Sequence, residues 1–91
     1  MYMAKVVGSV VSTQKDPSLI GKKLMIVQPV DSDRKNIRHE EVAADYVNSG
    51  IGEYVLVVRG AGARRADKGA NKSPEDVIDC AIVGIIDRFD K

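Results

Sequence analysis

One stretch of the chain, residues 45–60, places a cluster of turn-forming residues directly before the most strand-like run in the sequence. The run from Tyr54 to Val58 is aromatic and β-branched apart from one Leu, which is the composition of a strand. The residues before it accept a positive φ or close a tight bend. They are Asn48, Ser49, Gly50 and Gly52. A strand that starts from a tight bend is therefore the first constraint on the fold.

The residues ahead of the bend, 42–47, fit either a short helix or a strand when they are considered alone. The turn-forming residues and the strand-like run after them favour an antiparallel pair. We therefore predict a hairpin in which a third strand, residues 40–47, pairs with the fourth strand, residues 54–58.

Three further segments are rich in β-branched residues and predict strands at residues 4–13, 22–28 and 79–87. Gly8 and Gly84 lie inside two of them, and a glycine within a strand often marks a bulge or the corner of a barrel. We expect Pro29 to end the pairing of the second strand and residues 31–36 to form a polar hairpin tip.

The remaining segments predict loops and short helices. Residues 14–21 contain Pro17 and Gly21, which is typical of a loop with at most one helical turn. A short helix is expected to start near Ala61, because Ala and Arg favour helices. Ser73, followed by Pro and two acids, is a helix-start pattern. Five strands with one or two short helices predict a mostly β fold, a small closed barrel.

The apolar pattern of the last two strands covers both of their faces. In the fourth strand Tyr54, Leu56 and Val58 share one face, and Val55 and Val57 share the other. If the side chains of the last strand alternate strictly, Ile82 and Ile86 share one face and Val83 and Ile85 share the other. A single small barrel needs only its inward face to be apolar, so either another subunit or the helix and loops must cover the outside. The pattern favours an oligomer.

Composition limits the functional classes. The 91 residues predict a single domain, residues 1–91, and 14 basic against 13 acidic residues give no strong field to attract nucleic acid or an anionic membrane. Cys80 is the only cysteine, so it forms no internal disulfide, and we expect a buried thiol in a reducing cytoplasm. No apolar run approaches the length of a membrane span, and no export signal begins the chain. We expect a soluble cytoplasmic protein with no membrane partner.

Several sequence pieces also occur together, in order, in one known family. They are residues 8–15, 21–28, 44–60, the pair Ala63 and Arg64, and residues 81–87. Over nearly its whole length the chain resembles the EutN/CcmL family of bacterial microcompartment vertex proteins. It departs from the family at Asn48 and Ser49, where small residues such as Gly and Ala are more usual before the glycine.

The resemblance implies a five-stranded barrel similar to the oligonucleotide-binding fold, assembled as a homopentamer. Such pentamers cap the five-fold vertices of a polyhedral shell whose facets are hexameric proteins, so we expect the chain itself and those hexamers as partners. For the subunit interface or the five-fold axis we single out the bend and one arginine, whose planar fork suits a neighbour's carboxylate or carbonyls. These residues are Asn48, Ser49, Gly50, Gly52 and Arg64. Lys15 and residues 31–36 are expected shell contacts.

No pattern in the sequence predicts catalysis, a metal or a cofactor. His39 lies beside two glutamates, but neighbouring residues on a strand point to opposite faces, so a solvated surface group is the better interpretation. Residues 60–65 suggest a phosphate site, yet they lack the spacing of a dinucleotide fingerprint or a P-loop. No serine lies in a nucleophile elbow, and no pair of carboxylates stands in an acid/base context.

The alternative function is a barrel that binds single-stranded nucleic acid by stacking bases on aromatic rings along a basic groove. Aromatic residues are scarce, and the basic residues are interleaved with acids. Four basic residues would have to gather into one patch. They are Lys22, Lys23, Arg64 and Arg65. We therefore do not expect nucleic acid as a partner.

Overall fold

The computed structural model describes residues 1–13, 16–60 and 78–91, and five strands in this part of the chain close into a barrel. The strands are β1 (Tyr2–Val10), β2 (Leu24–Val30), β3 (Glu41–Asp45), β4 (Tyr54–Arg59) and β5 (Cys80–Ile85). Their order around the barrel is β1, β2, β3, β5, β4. Four of the five junctions are antiparallel ladders. The fifth is parallel and pairs only Ala44 with Ala81 and Asp45 with Ile82.

The interior of the barrel is filled by small and β-branched side chains from all five strands. The buried cluster consists of Ala4, Val6, Met25, Val27, Ala43, Val55, Val57, Cys80 and Ile82. In β4 the two inward side chains, Val55 and Val57, are fully buried, whereas the outward side chains alternate with them and are half-buried. The predicted apolar outer face of β4 is therefore confirmed, and so is the buried thiol of Cys80.

Two glycines lie next to bulges, as predicted for barrel strands. The pairing of β1 with β2 skips Val7, directly before Gly8, and the pairing of β4 with β5 skips Val83, directly before Gly84. A Cβ added at Gly84 would lie 3.3 Å from Leu56 Cδ1 of the neighbouring strand, so a larger residue there would require the Leu56 side chain to shift. The extra residue at Val83 shifts the register of β5, so that Ile85 pairs with Val55. Ile82 is nevertheless fully buried and Ile85 is 37% exposed, in line with the predicted placement of these two residues on opposite faces.

The predicted hairpin between the third and fourth strands is wrong. The strand β3 pairs with β2 and β5, whereas β4 pairs with β1 and β5. The bend exists, but it belongs to a longer loop, residues 46–53, that carries the chain across one end of the barrel. Turn-forming residues determine that the chain reverses its direction locally, but they do not determine which strand the next strand pairs with.

Pro29 does not end the pairing of β2, contrary to the prediction, because it pairs with Ala4 of β1. The ladder between β2 and β3 stops at Val27, so the missing N–H of Pro29 removes no bond from it. The predicted polar tip at residues 31–36 is confirmed as a turn that Asp31 organises by accepting bonds from the N–H groups of Asp33 and Lys35.

The predicted helical turn in the first loop is confirmed as a 3₁₀ helix, Pro17–Leu19, in which the Ser18 N–H donates to the side chain of Asp16. The predicted helices near Ala61 and after Ser73 lie outside the described residues. In the described part of the chain no helix has the length and apolar character to cross a membrane. The same part brings together no group of three His, Cys, Asp or Glu side chains able to hold a metal.

Candidate assembly surfaces at the barrel ends

The loop of residues 46–53, called here the crossing loop, is organised by the carboxylate of Asp45 at the end of β3. This carboxylate is fully buried. It accepts hydrogen bonds from the backbone N–H of Val47 at 3.0 Å and of Ser49 at 2.8 Å, and from the Ser49 hydroxyl at 3.0 Å. Ser49 is only 1% exposed as a result. The first half of the crossing loop is therefore folded around one acidic side chain.

Lys23, just before β2, fastens the same half of the loop from outside. Its Nζ lies 3.3 Å from the Asp45 carboxylate and donates to Asn48 Oδ1 at 3.3 Å and to the Ser49 carbonyl at 3.0 Å. Its own carbonyl accepts the Asp45 N–H at 2.8 Å. Lys23 thus contacts the last residue of β3 and two residues of the loop from its position just before β2.

The second half of the crossing loop is hydrogen-bonded to β1. The N–H of Gly52 donates to the carbonyl of Val6 at 2.8 Å, and the N–H of Val6 donates to the carbonyl of Glu53 at 2.9 Å. The Glu53 carboxylate turns back and accepts the N–H of Gly50 at 2.5 Å. Because Val6 directly precedes the bulged Val7, the bulge and the loop meet at the same rim of the barrel.

Two residues of the bend adopt a positive φ, namely Asn48 at 56° and Gly52 at 97°. Gly50 does not, and a Cβ added there would meet only the far end of the Glu53 side chain, at 3.3 Å. The four residues of the bend therefore differ in their backbone conformation. The structure assigns the conformational need for glycine to Gly52, where any L side chain would be strained.

An apolar side chain projects from the tip of this loop. Ile51 is 67% exposed, and Val7 on the same rim is 39% exposed. A contiguous exposed apolar patch marks a surface that another protein covers, whereas a single exposed apolar side chain is normal on a monomer. The rim therefore combines a fixed backbone with an uncovered apolar side chain.

The opposite end of the barrel is closed by a polar cluster at the ends of four strands. The Tyr2 hydroxyl donates to the carboxylate of Glu41 and lies 3.2 Å from the Cys80 sulfur. Arg59 forms an ion pair with Glu41, and the Arg38 guanidinium lies over the Tyr2 ring, 4.3 Å from its centre. Burial raises the pKa of the Tyr2 phenol above its ordinary value, and the contact with Cys80 adds to that shift. The hydrogen bond to Tyr2 raises the pKa of Arg59.

A third surface lies where the C-terminal residues meet the turn of residues 31–36. The Arg34 guanidinium lies 5.7 Å from the centre of the Tyr54 ring and 4.9 Å from that of Phe89, and those rings pack edge to face at 5.4 Å. Lys91 forms an ion pair with Asp33 at 2.9 Å. These contacts border an open groove of about 760 Å³. Its apolar floor is formed by Met3, Leu56, Ile85 and Ile86.

The structure therefore brings together four of the six residues singled out from the sequence, Asn48, Ser49, Gly50 and Gly52, in the crossing loop. Arg64 and Lys15 lie outside the described residues. Sequence reasoning missed Asp45 and Lys23, which hold the loop in shape. An Asp at a strand end with a Ser four residues later is a signal for a side chain that accepts backbone N–H groups, and it was available for Asp45.

Comparison with known proteins assigns the family. The model of the family described as "Ethanolamine utilisation protein EutN/carboxysome" matches residues 1–87. The chain belongs to the EutN/CcmL family. It is 47% identical over 91 residues to a bacterial microcompartment shell vertex protein of Salmonella typhimurium, PduN, with 96% of both chains covered. It is 46% identical over 87 residues to the carboxysome shell vertex protein CcmL of a Synechocystis strain, covering 96% of this chain and 83% of CcmL.

Solved structures of EutN/CcmL proteins share the fold. The pentameric microcompartment shell protein GrpN of Rhodospirillum rubrum superposes with a TM-score of 0.86 at 38% identity, over 100% of this chain and 99% of GrpN. CcmL of a Nostoc strain superposes with a TM-score of 0.82 at 46% identity, over 96% of this chain and 89% of CcmL. The sequence-based family assignment is confirmed.

Proposed function

We propose that this chain is a structural vertex protein that forms homopentamers at the five-fold positions of a bacterial microcompartment shell. The observation that carries the proposal is the match to the pentameric shell protein GrpN, which extends over essentially the whole length of both chains. Relatives that match along their length are named as shell vertex proteins. Residues 1–91 act as a single domain in this proposal.

The surface of the barrel supports an assembly through its sides and one rim. The outward side chains of β4 are apolar and remain half-buried in the single chain, and Ile51 is largely exposed at the rim. A cyclic pentamer joins two different patches of the same chain, and the outer face of β4 and the rim at Ile51 are the two patches proposed here. We place the crossing loop, with Asn48, Ser49, Gly50 and Gly52, at the subunit interface near the five-fold axis.

The proposed role contains no chemistry. Hexamers tile a plane, and a closed polyhedron needs five-fold positions that a pentamer of a small domain fills. The partners are therefore other copies of this chain and hexameric shell proteins in the cytoplasm. Lys15 and the turn of residues 31–36 are the proposed contacts with those hexamers, because loops that flank the strands must meet the hexamer edges. A nearly neutral chain favours shape and hydrogen bonding over long-range attraction.

The first test is the mass of the native assembly. Native mass spectrometry of the purified protein is expected to show five subunits, and a monomer at all concentrations would contradict the proposal. The second test is deletion of the gene in its host, which is expected to leave elongated or unsealed shells under the electron microscope. Closed polyhedra of normal shape, in a strain that encodes no second vertex protein, would also contradict it.

Arg64 is a proposed interface residue, because a guanidinium fork suits a carboxylate or carbonyl oxygens of a neighbouring subunit. Replacing Arg64 by Ala is expected to raise the concentration at which the pentamer dissociates by about tenfold, equivalent to about 1.4 kcal/mol. Dilution followed by native mass spectrometry measures this. Unchanged dissociation would remove Arg64 from the interface.

The nucleic-acid alternative receives no support from the described residues. An Arg guanidinium already lies near each of three aromatic rings, those of Tyr2, Tyr54 and Phe89. A base that stacked on any of them would have to displace that contact.

A further inference from the structure

The Asp45 carboxylate is a buried charge whose partners all lie within the crossing loop or next to it. It accepts bonds from Val47 and Ser49 and has no exposed side-chain surface. Removing a carboxylate from water is strongly unfavourable unless its oxygens are hydrogen-bonded and an opposite charge lies close by. Lys23 supplies that charge from 3.3 Å. The conformation of the loop and the position of Lys23 are therefore energetically linked.

Lys23 differs from the loop residues because it lies on another strand connection and remains 47% exposed at its side chain. Its Nζ donates to Oδ1 of the Asn48 side chain and to the backbone carbonyl of Ser49, the next residue in the chain. Those two contacts lie on the segment in which Asn48 has a φ of 56°, a left-handed conformation that Asn adopts more readily than most non-glycine residues and that the contacts stabilise further.

We propose that Lys23 and Asp45 form a clamp that sets the shape of the crossing loop, and that Lys23 is a positioning residue for association with a second copy of this chain. The inference rests on the proposed pentamer and extends it to a residue outside the loop. The clamp fixes residues 47–49, and the hydrogen bonds of Gly52 and Glu53 to Val6 fix the other end of the loop. Ile51 lies between the two fixed points, so its exposed side chain is presented in one place.

Removing the Lys23 charge leaves the Asp45 carboxylate buried without its counter-ion. The carboxylate then gains by reaching water, which requires the segment from Val47 to Ser49 to open. In Lys23→Met we expect faster amide exchange in residues 46–49, by about tenfold or more, and a similar rise in the concentration at which the pentamer dissociates. Lys23→Arg keeps the charge and is expected to restore most of both effects.

The experiment compares five proteins by hydrogen exchange with mass spectrometry and by dilution in native mass spectrometry, below their melting temperatures. They are the wild type, Lys23→Met, Lys23→Arg, Lys35→Met and the double variant Lys23→Met with Asp45→Asn. Lys35 lies in the exposed turn of residues 31–36 and serves as the matched control for loss of one positive charge. The variant Lys23→Met with Asp45→Asn removes both charges and is expected to dissociate less readily than Lys23→Met alone, because no buried charge is left unpaired.

The outcomes distinguish failure of the proposed clamp from failure of the proposed pentamer. If the Lys23→Met pentamer dissociates at the same concentration as the wild-type pentamer, the proposal is overturned, whether or not amide exchange in the loop has changed. An equal effect of Lys35→Met also overturns it, because net charge would then explain the result. A wild-type protein that is monomeric at every concentration overturns the proposed function itself. If Lys23→Met does not fold, Lys23→Gln takes its place, since it removes the charge and keeps a donor for the Ser49 carbonyl.

Discussion

Tyr2 is the residue on which one end of the barrel depends. Its ring packs against the interior cluster, and its hydroxyl joins Glu41 and Cys80, which belong to two other strands. The fold favours the protonated phenol, because burial disfavours the phenolate and so raises its pKa. In the unfolded chain the same phenol ionises near pH 10. Above about pH 10 the unfolded chain therefore binds fewer protons than the folded one, and stability falls as pH rises.

Replacing Tyr2 by Phe should destabilise the protein at neutral pH by about 1 kcal/mol, since Glu41 loses a donor. The difference from the wild type should be constant below about pH 10 and should shrink above it, as the wild type loses the contribution of its phenol. Chemical denaturation of both proteins at fixed concentration from pH 7 upward measures this difference, with Tyr54→Phe as the control for loss of a phenol. A difference that widens at alkaline pH would contradict the assignment.

The C-terminal residues make contacts that are clear in the structure but were not predicted from the sequence. Residues 88–91 lie beyond the family match, which ends at residue 87. Phe89 nevertheless packs on Tyr54 and on Arg34, which itself adopts a φ of 65°. A positive φ in a non-glycine residue is unfavourable, and the contacts with two rings give a reason for it.

Deleting residues 88–91 should lower the free energy of unfolding by about 1 to 2 kcal/mol, since an edge-to-face ring pair and the burial of Phe89 are lost. Lys91→Ala alone should change it by less than about 0.5 kcal/mol, because the ion pair with Asp33 is exposed to solvent. Thermal unfolding of both variants separates the two contributions. A loss in Lys91→Ala as large as in the deletion would show that the ion pair holds these residues.

The sequence predicted strands well and their partners poorly, for a physical reason. Runs such as Tyr54–Arg59 are identified by residue type, and Gly8 and Gly84 indicated bulges because a glycine within a strand often marks one. Partners depend on contacts between segments far apart in the chain, so the turn residues after β3 suggested a hairpin that the fold does not form. Lys23 was missed for the same reason, since its contacts with Asp45 and the loop arise only when β2 and β3 lie side by side. The role of Asp45 is local, because its partners Val47 and Ser49 follow within four residues.

At the scale of the whole molecule the outward face of β4 is expected to be buried between subunits. Leu56 lies at its middle, and Thr there introduces a β-branched residue, which suits a strand, while making the surface polar. We expect Leu56→Thr to raise the dissociation concentration of the pentamer by about tenfold or more. Ile37→Thr, at another exposed apolar position, is the control. Equal weakening by both variants, measured by native mass spectrometry, would show that this face is not a specific interface.

The parallel junction between β3 and β5 holds the ring closed with only two residue pairs. Partial opening that preserves the four antiparallel ladders must therefore occur at this junction, and it yields a flat sheet in the order β3, β2, β1, β4, β5. The two edges of that sheet are complementary, because they are β3 and β5, which pair with each other in the closed barrel. An opened subunit beside another opened subunit would exchange edges and grow into a chain of copies without a defined number. Closure of the barrel removes these free strand edges, so that copies of the chain associate through their outer surfaces and can form an assembly with a fixed number of subunits.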